Sequence, residues 1–224
     1  TIIVFTSDHG EMCGSHGLVN KGPFAYQEIM KVPLYVRVPG TTKEGSVTDA
    51  LSSSVDLAST ICELAGVTAT PSLSGTSLVP LLSGATDSVR DHVLFAQAQG
   101  WYRSCIAQRF ALRGVFDGRY KYVRYFGVGG GVDSIGMGLD FAPTMQVGPD
   151  SGPWDQEHEL YDLSEDPGEV VNLAADRARA KEVRDRFEHL LELEAAAFSH
   201  SRPPGKGEGS THQGALMSHS RRVR

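Results

Sequence analysis

Thr6-Ser7-Asp8-His9-Gly10 places a carboxylate beside an imidazole directly after an apolar, β-branched run, Thr1-Ile2-Ile3-Val4-Phe5. In open α/β sheets, ligands bind beyond the carboxyl ends of the strands, and such a pair is hard to explain there as packing. Neighbouring residues on a strand point to opposite faces. Asp8 and His9 can therefore meet one ion only where the chain leaves the strand, and Gly10 supplies the freedom for that turn. One anionic oxygen and one nitrogen suit a divalent cation, although two ligands alone do not make a site. Downstream, Gly14-Ser15-His16-Gly17-Leu18-Val19-Asn20-Lys21-Gly22 sets a histidine and a lysine among small residues. An ammonium in such a loop, next to a metal, holds the oxygens of a tetrahedral anion and stabilises charge that develops on it. The plainer alternatives are a solvated Asp8–His9 turn, a surface Lys21 and an idle His16.

The elements that must position these residues follow from pattern. Thr1–Phe5 reads as a strand buried on both faces of a parallel sheet. The sequence offers few neighbours of that kind, so the start of the protein is expected to lie upstream of Thr1. Pro33–Val38 is a second strand, stopped by Pro39-Gly40. Ser53 and Asp56 have capping-box spacing, Leu57, Ile61, Leu64 and Ala65 share one helical face, and Gly66 supplies the stop. From about residue 89, His92–Ala96, Phe110–Arg113 and Tyr120–Tyr125 are short strands between turn signals, an antiparallel meander with one wet face, and Glu159–Leu163 returns as a strand. A helix is expected over about 175–197, with Val183, Phe187, Leu190, Leu191 and Phe198 as its stripe and Glu182–Arg186 as a surface pair. Gly-rich 126–153 reads as an excursion, and 201–224 as a basic, disordered tail. The organisation is thus 1–88, an α/β unit; 89–200, a smaller α+β subdomain; and 201–224, a tail.

The chain has 224 residues, with 21 Lys plus Arg against 27 Asp plus Glu and a net charge of −6. That balance argues against a general nucleic-acid binder, and no apolar run approaches the roughly 20 residues that span a bilayer. Cys13, Cys62 and Cys105 form no CxxC and no disulfide framework. Apparently unpaired thiols tilt the location toward the cytoplasm, with periplasm or secretion open. Trp101, Tyr102 and Trp154 could stack on a sugar or aryl group, against the plainer use of anchoring loops.

A series of ordered blocks carries a resemblance. Thr6-Ser7-Asp8-His9-Gly10-Glu11, Gly14-Ser15-His16-Gly17 with Lys21-Gly22, Lys31-Val32-Pro33-Leu34-Tyr35-Val36-Arg37-Val38-Pro39-Gly40, and Ser54-Val55-Asp56-Leu57-Ala58-Ser59-Thr60-Ile61 resemble the second half of a sulfatase of the alkaline phosphatase superfamily. Gly118-Arg119-Tyr120-Lys121-Tyr122 and Leu160-Tyr161-Asp162-Leu163, followed by Asp166-Pro167 and Asn172-Leu173, are similar to that family's C-terminal subdomain. The resemblance spans roughly 1–198 and is weakest in the Gly-rich stretch.

It implies the C-terminal part of an alkaline-phosphatase-like α/β domain followed by a smaller α+β subdomain with an antiparallel sheet and a C-terminal helix. It also implies hydrolysis of a sulfate ester, in a small molecule or a carbohydrate, by a formylglycine hydrate beside a divalent ion. Ca2+ is the ion expected, with Mn2+ and Mg2+ as alternatives. By resemblance Asp8 and His9 match two metal ligands, Lys21 a lysine that contacts the sulfate and its leaving oxygen, and His16 a substrate-side position.

The departures are informative. No cysteine is followed by x-Pro, no Ser-x-Pro-Ser-Arg occurs, and the family's early aspartates have no counterpart. The formylglycine is expected in the missing N-terminal part, and the 224 residues alone are expected to hydrolyse nothing. Two rival readings are a phosphonate monoester or phosphodiester hydrolase of the same superfamily and a non-catalytic, truncated member. No nucleic acid or membrane partner is expected; the oligomeric state, the particular ester and the location stay open.

Overall fold

The computed structural model describes residues 1–22, 24–68, 73–98, 111–126 and 157–199. The Gly-rich excursion, Trp101, Tyr102, Cys105, Trp154 and the 201–224 segment lie outside them. The described part contains a two-stranded and a four-stranded sheet with helices packed around them, the α/β plus α+β arrangement expected from the sequence.

Strand β1 (Ile3–Thr6) pairs with β2 (Leu34–Arg37). The pairing is antiparallel, Ile3 opposite Arg37 and Thr6 opposite Leu34. Where a parallel partner was expected, the described residues give β1 an antiparallel one. Phe5 is 60% and Tyr35 68% exposed, with their rings 5.9 Å apart. The apolar run reflects the β-branched preference for extended backbone, and no described element covers these side chains. Between the strands, helix α1 (Gln27–Met30) is a single turn.

Helix α2 (Asp56–Leu64) ends at Gly66, whose φ of 68° is the left-handed stop the sequence called for. Its buried face differs from the expected one. Asp56, Ser59 and Thr60 are buried, whereas Ile61 is exposed. The reason is hydrogen bonding with 75–78: Ser59 Oγ donates to the Gly75 carbonyl at 2.7 Å, and Thr60 Oγ1 accepts from Leu78 N–H at 2.9 Å. Only the carboxylate half of the capping box forms, with Asp56 accepting from Ser53 N–H at 2.8 Å. Helix α3 (Val79–Leu82) follows.

Strands β3 (Val93–Ala98), β4 (Ala111–Phe116), β5 (Tyr120–Phe126) and β6 (Glu157–Asp162) form an antiparallel meander in that order. Helix α4 (Ala180–Ser199) is preceded by two short 3-10 turns over 173–179. Strand parity separates two cores. Val115, Tyr122 and Leu160 pack against Val183, Phe187 and Leu190 of α4. On the opposite face, Leu112, Val123 and Tyr125 pack against Ala25. The meander therefore has no wet face at its centre, because the loop before α1 closes the side expected to be open.

Leu191 lies at the edge of the α4 stripe and is partly exposed, and the Phe198 side chain is outside the described set. Glu182 pairs with Arg179 and Arg186 with Asp117, each at 3.0 Å, in place of the expected Glu182–Arg186 pair. Among the described residues, no helix is long and apolar enough to cross a membrane.

Candidate active site

The chain leaves β1 at Thr6 and turns at once. Ser7 Oγ donates to the His9 carbonyl at 2.8 Å, and His9 N–H donates to Asp8 Oδ1 at 3.0 Å. Gly10 and Glu11 then hydrogen-bond through their N–H groups to the Ile29 and Glu28 carbonyls of α1, each at 2.9 Å. A Cβ on Gly10 would run into the Glu28 carbonyl. Glycine is thus needed here for close approach of two backbones rather than for a left-handed φ.

The imidazole is oriented by its own backbone. His9 Nδ1 lies 2.8 Å from the Gly10 carbonyl, which can only accept, so Nδ1 donates. That leaves the Nε2 lone pair pointing outward, as a metal-ligating histidine requires. Nε2 lies 3.4 Å from Asp8 Oδ2 and accepts from Lys21 Nζ at 2.6 Å. Asp8 is exposed, and the hydrogen bond from His9 N–H holds its carboxyl below the usual range. It is a carboxylate at neutral pH.

Lys21 reaches this point over a tightly coiled loop. Cys13, Gly14, His16, Gly17 and Asn20 all have positive φ, and the loop closes through Gly14 N–H to Leu18 O at 2.8 Å and Met12 N–H to Asn20 O at 3.3 Å. Three of those residues carry a Cβ, a concentration of left-handed backbone that persists only where surrounding contacts enforce it. Fully buried Met12 is one such anchor.

Asp8, His9 and Lys21 are thus brought to one point. His16 is not part of that contact: its ring stacks on Tyr26, 3.8 Å between centroids and 13° from parallel. Among the described residues no group of three or more His, Cys, Asp or Glu is arranged to hold a metal. The donors still fit a share of such a site, because a lone pair that accepts from an ammonium can accept a cation, and the charged carboxylate stands next to it.

Beneath the loop lies a polar layer that sequence reasoning missed. Lys121 on β5 forms a buried ion pair with Glu169 and donates to the Ala25 carbonyl. Glu169 Oε2 accepts from Gln27 N–H at 2.7 Å. Burial lowers the Lys121 pKa, with the Glu169 charge opposing it. Tyr125 donates to Glu159 Oε2 at 2.9 Å, and the Tyr26 and Tyr161 rings lie 6.3 Å apart beside them. Parity was the available signal: Lys121 shares its strand face with Val123 and Tyr125.

Burial raises the Glu159 carboxyl above its ordinary 4.5, and the Tyr125 hydroxyl only partly offsets it. Native Glu159 therefore keeps a proton that the unfolded chain has released, in the window that opens at 4.5. More protons bound to the native state means that stability falls as pH rises through that window. Glu159→Gln should remove this slope, so that the variant gains on the parent as pH rises toward neutrality. Urea denaturation across that range measures it, and a pH-independent difference between the two proteins would refute it.

The family described as N-sulphoglucosamine sulphohydrolase, C-terminal, matches residues 14–135, more than half of the chain. An N-acetylglucosamine-6-O-sulfatase of Bacteroides thetaiotaomicron is 28% identical over 194 residues, 87% of this chain and 30% of that protein. A solved structure of BT4656 with its substrate D-glucosamine-2-N,6-O-disulfate superimposes with a TM-score of 0.66 at 26% identity, covering 92% of this chain and 36% of that one. The phosphonate monoester hydrolase of Agrobacterium radiobacter gives 0.65 at 28% identity, covering 88% and 35%. The chain spans about a third of the length of the curated relatives it matches. The order of its elements and the extent of these matches make it a member of the sulfatase family, of the N-sulphoglucosamine sulphohydrolase C-terminal type, within the alkaline phosphatase superfamily.

Proposed function

We propose that these residues supply the cation- and oxyanion-holding part of a sulfuric ester hydrolase acting on a sulfated carbohydrate or small molecule. The observation that carries the reading is the convergence of Asp8, His9 and Lys21 around one imidazole nitrogen. Asp8 and His9 contribute two donors to a divalent cation, Ca2+ by preference, with Mn2+ and Mg2+ as alternatives. When bound, that ion draws charge from the sulfate oxygens. Lys21 places an ammonium against the transferring group and its leaving oxygen, where negative charge grows as the ester bond breaks. His16, held flat on Tyr26, takes a substrate-side role by family resemblance. The nucleophile, a formylglycine by family resemblance, has no precursor motif among the 224 residues, so this stretch alone has no turnover.

Support for a carbohydrate sulfate comes from the relatives: one is named as an N-acetylglucosamine-6-O-sulfatase, and a structural neighbour holds a sulfated glucosamine. A phosphonate monoester hydrolase among the neighbours keeps a second reading in play. The product of the complete coding sequence, assayed with an aryl sulfate, a glucosamine 6-sulfate and a phenylphosphonate ester, separates the two. The reading expects sulfate turnover that is abolished by chelation and restored by Ca2+. Asp8→Asn should raise the cation concentration for half-maximal activity at least about tenfold, as loss of a charged ligand does. Turnover confined to the phosphonate ester, with Mn2+ preferred, would overturn it in favour of the rival.

A further inference from the structure

A buried ion pair is a weak source of stability, since the desolvation of two charges offsets most of their attraction. Lys121–Glu169 is better understood by what it grips. Lys121 donates to the Ala25 carbonyl and Glu169 accepts from Gln27 N–H, so the pair holds the two peptide groups that flank Tyr26. Gln27 is the first residue of α1, whose opening N–H groups have no partner within the helix. No side chain of the N-cap residue, Tyr26, supplies one, so a carboxylate from the loop that follows β6 stands in for the missing cap.

The consequence reaches the loop that leaves β1. The Glu28 and Ile29 carbonyls, one and two residues after Gln27, accept from Glu11 and Gly10. The Gly10 carbonyl in turn accepts from His9 Nδ1, which fixes the direction of Nε2 toward Asp8 and Lys21. Every link from the ion pair to His9 is a hydrogen bond or a single peptide step. Lys21 sits at the other end of the same segment, four residues before Ala25.

We infer that Lys121 and Glu169 are positioning residues: through α1 they fix the Asp8–His9–Gly10 turn, so the C-terminal subdomain sets the geometry of the Asp8, His9 and Lys21 cluster near the start of the chain. The functional meaning of this inference rests on the reading above, but the mechanical link does not. A pair serving only the sheet would leave the turn unaffected when weakened. A pair that places the turn passes its loosening on to Gly10 and Glu11.

Amide hydrogen exchange resolved at Gly10 and Glu11, on the product of the complete coding sequence, tests the link. Glu169→Gln should speed exchange at both amides by about tenfold or more, with β3 and β4 amides unchanged, as local opening does. Gln27→Pro is the second variant, because it removes the N–H that Glu169 accepts, sets the ring Cδ in the place of that hydrogen, and leaves both charges of the ion pair in the protein. Proline is tolerated at a first helical position, and Lys121 and Glu169 keep each other as counter-charges. It too should speed exchange at Gly10 and Glu11, by a smaller factor. If Glu169→Gln does not fold, Gln27→Pro decides alone; exchange at Gly10 and Glu11 within twofold of the parent in that variant overturns the inference.

Steady-state kinetics on the same proteins separate this from the functional reading. Misplaced groups lower kcat with little change in KM. A parent that hydrolyses no sulfate ester defeats the functional reading while the exchange result stands. Unchanged exchange in an active sulfatase defeats the positioning role alone.

Discussion

In the product of the complete coding sequence, Lys21→Met should lower kcat/KM for a sulfate ester by about 10²–10³-fold, or about 2.7–4 kcal/mol, the range found when one preorganised donor to a developing oxyanion is removed. Methionine keeps the length and most of the apolar stem, so the loop closure through Asn20 and Met12 is untouched and the change isolates the ammonium. The loss should fall mainly on kcat, because the charge that the ammonium meets grows as the ester bond breaks and is smaller in the bound substrate. Lys21→Arg should recover little of it. A planar guanidinium on a longer stem does not reproduce a compact ammonium 2.6 Å from His9 Nε2. Cation affinity, read by titration of activity with Ca2+, should not fall in Lys21→Met, since Asp8 and His9 remain. A drop smaller than threefold in kcat/KM would mean that Lys21 is a surface residue, and the oxyanion assignment would have to be abandoned.

How much of this was legible in the sequence depends on the range of the interaction involved. The Asp8–His9–Gly10 turn and the stop at Gly66 are local, and residue type alone points to them. Strand parity is local too, which is why the β4–β5–β6 meander could be read from Tyr120–Tyr125 and its neighbours. What covers a strand face is not local. Nothing near Lys121 in sequence signals that Ala25, 96 residues earlier, closes the second face of the sheet.

The same limit misled the reading of α2. Leu57, Ile61 and Leu64 form a sound apolar stripe, yet the segment at 75–78 packs on Ser59 and Thr60 because their hydroxyls meet its backbone groups. For β1, an apolar β-branched run was consistent with either strand direction, and the pairing with β2 decided it. His16 is a comparable case. A loop histidine between a serine and a glycine can point anywhere, and its stacking on Tyr26 follows from the left-handed φ of 54° that no sequence pattern specifies.

Asp56 shows how costly it can be to mistake a hub for a cap. Read from sequence, it is a capping-box carboxylate, and the loss of a cap costs about 1 kcal/mol. In the structure it is fully buried, accepts from Ser53 N–H and Thr76 N–H at 2.8 Å each, and pairs with Arg90. One carboxylate therefore joins the start of α2, the segment after Gly75 and the residue that leads into β3. Gly75 itself packs so closely on Val55 and Asp56 that a Cβ there would collide with their backbone.

Asp56→Ala removes both acceptors at once and leaves the largely buried Arg90 guanidinium without its counter-charge, which places the expected loss at about 3–5 kcal/mol. Asp56→Asn should cost less, since one carbonyl oxygen still accepts, but its amide group then faces donors. Urea denaturation at neutral pH distinguishes the hub from the cap: the midpoint falls with the slope unchanged. A loss near 1 kcal/mol for Asp56→Ala would mean that Arg90 finds water or another acceptor and that the three segments are held together by other contacts.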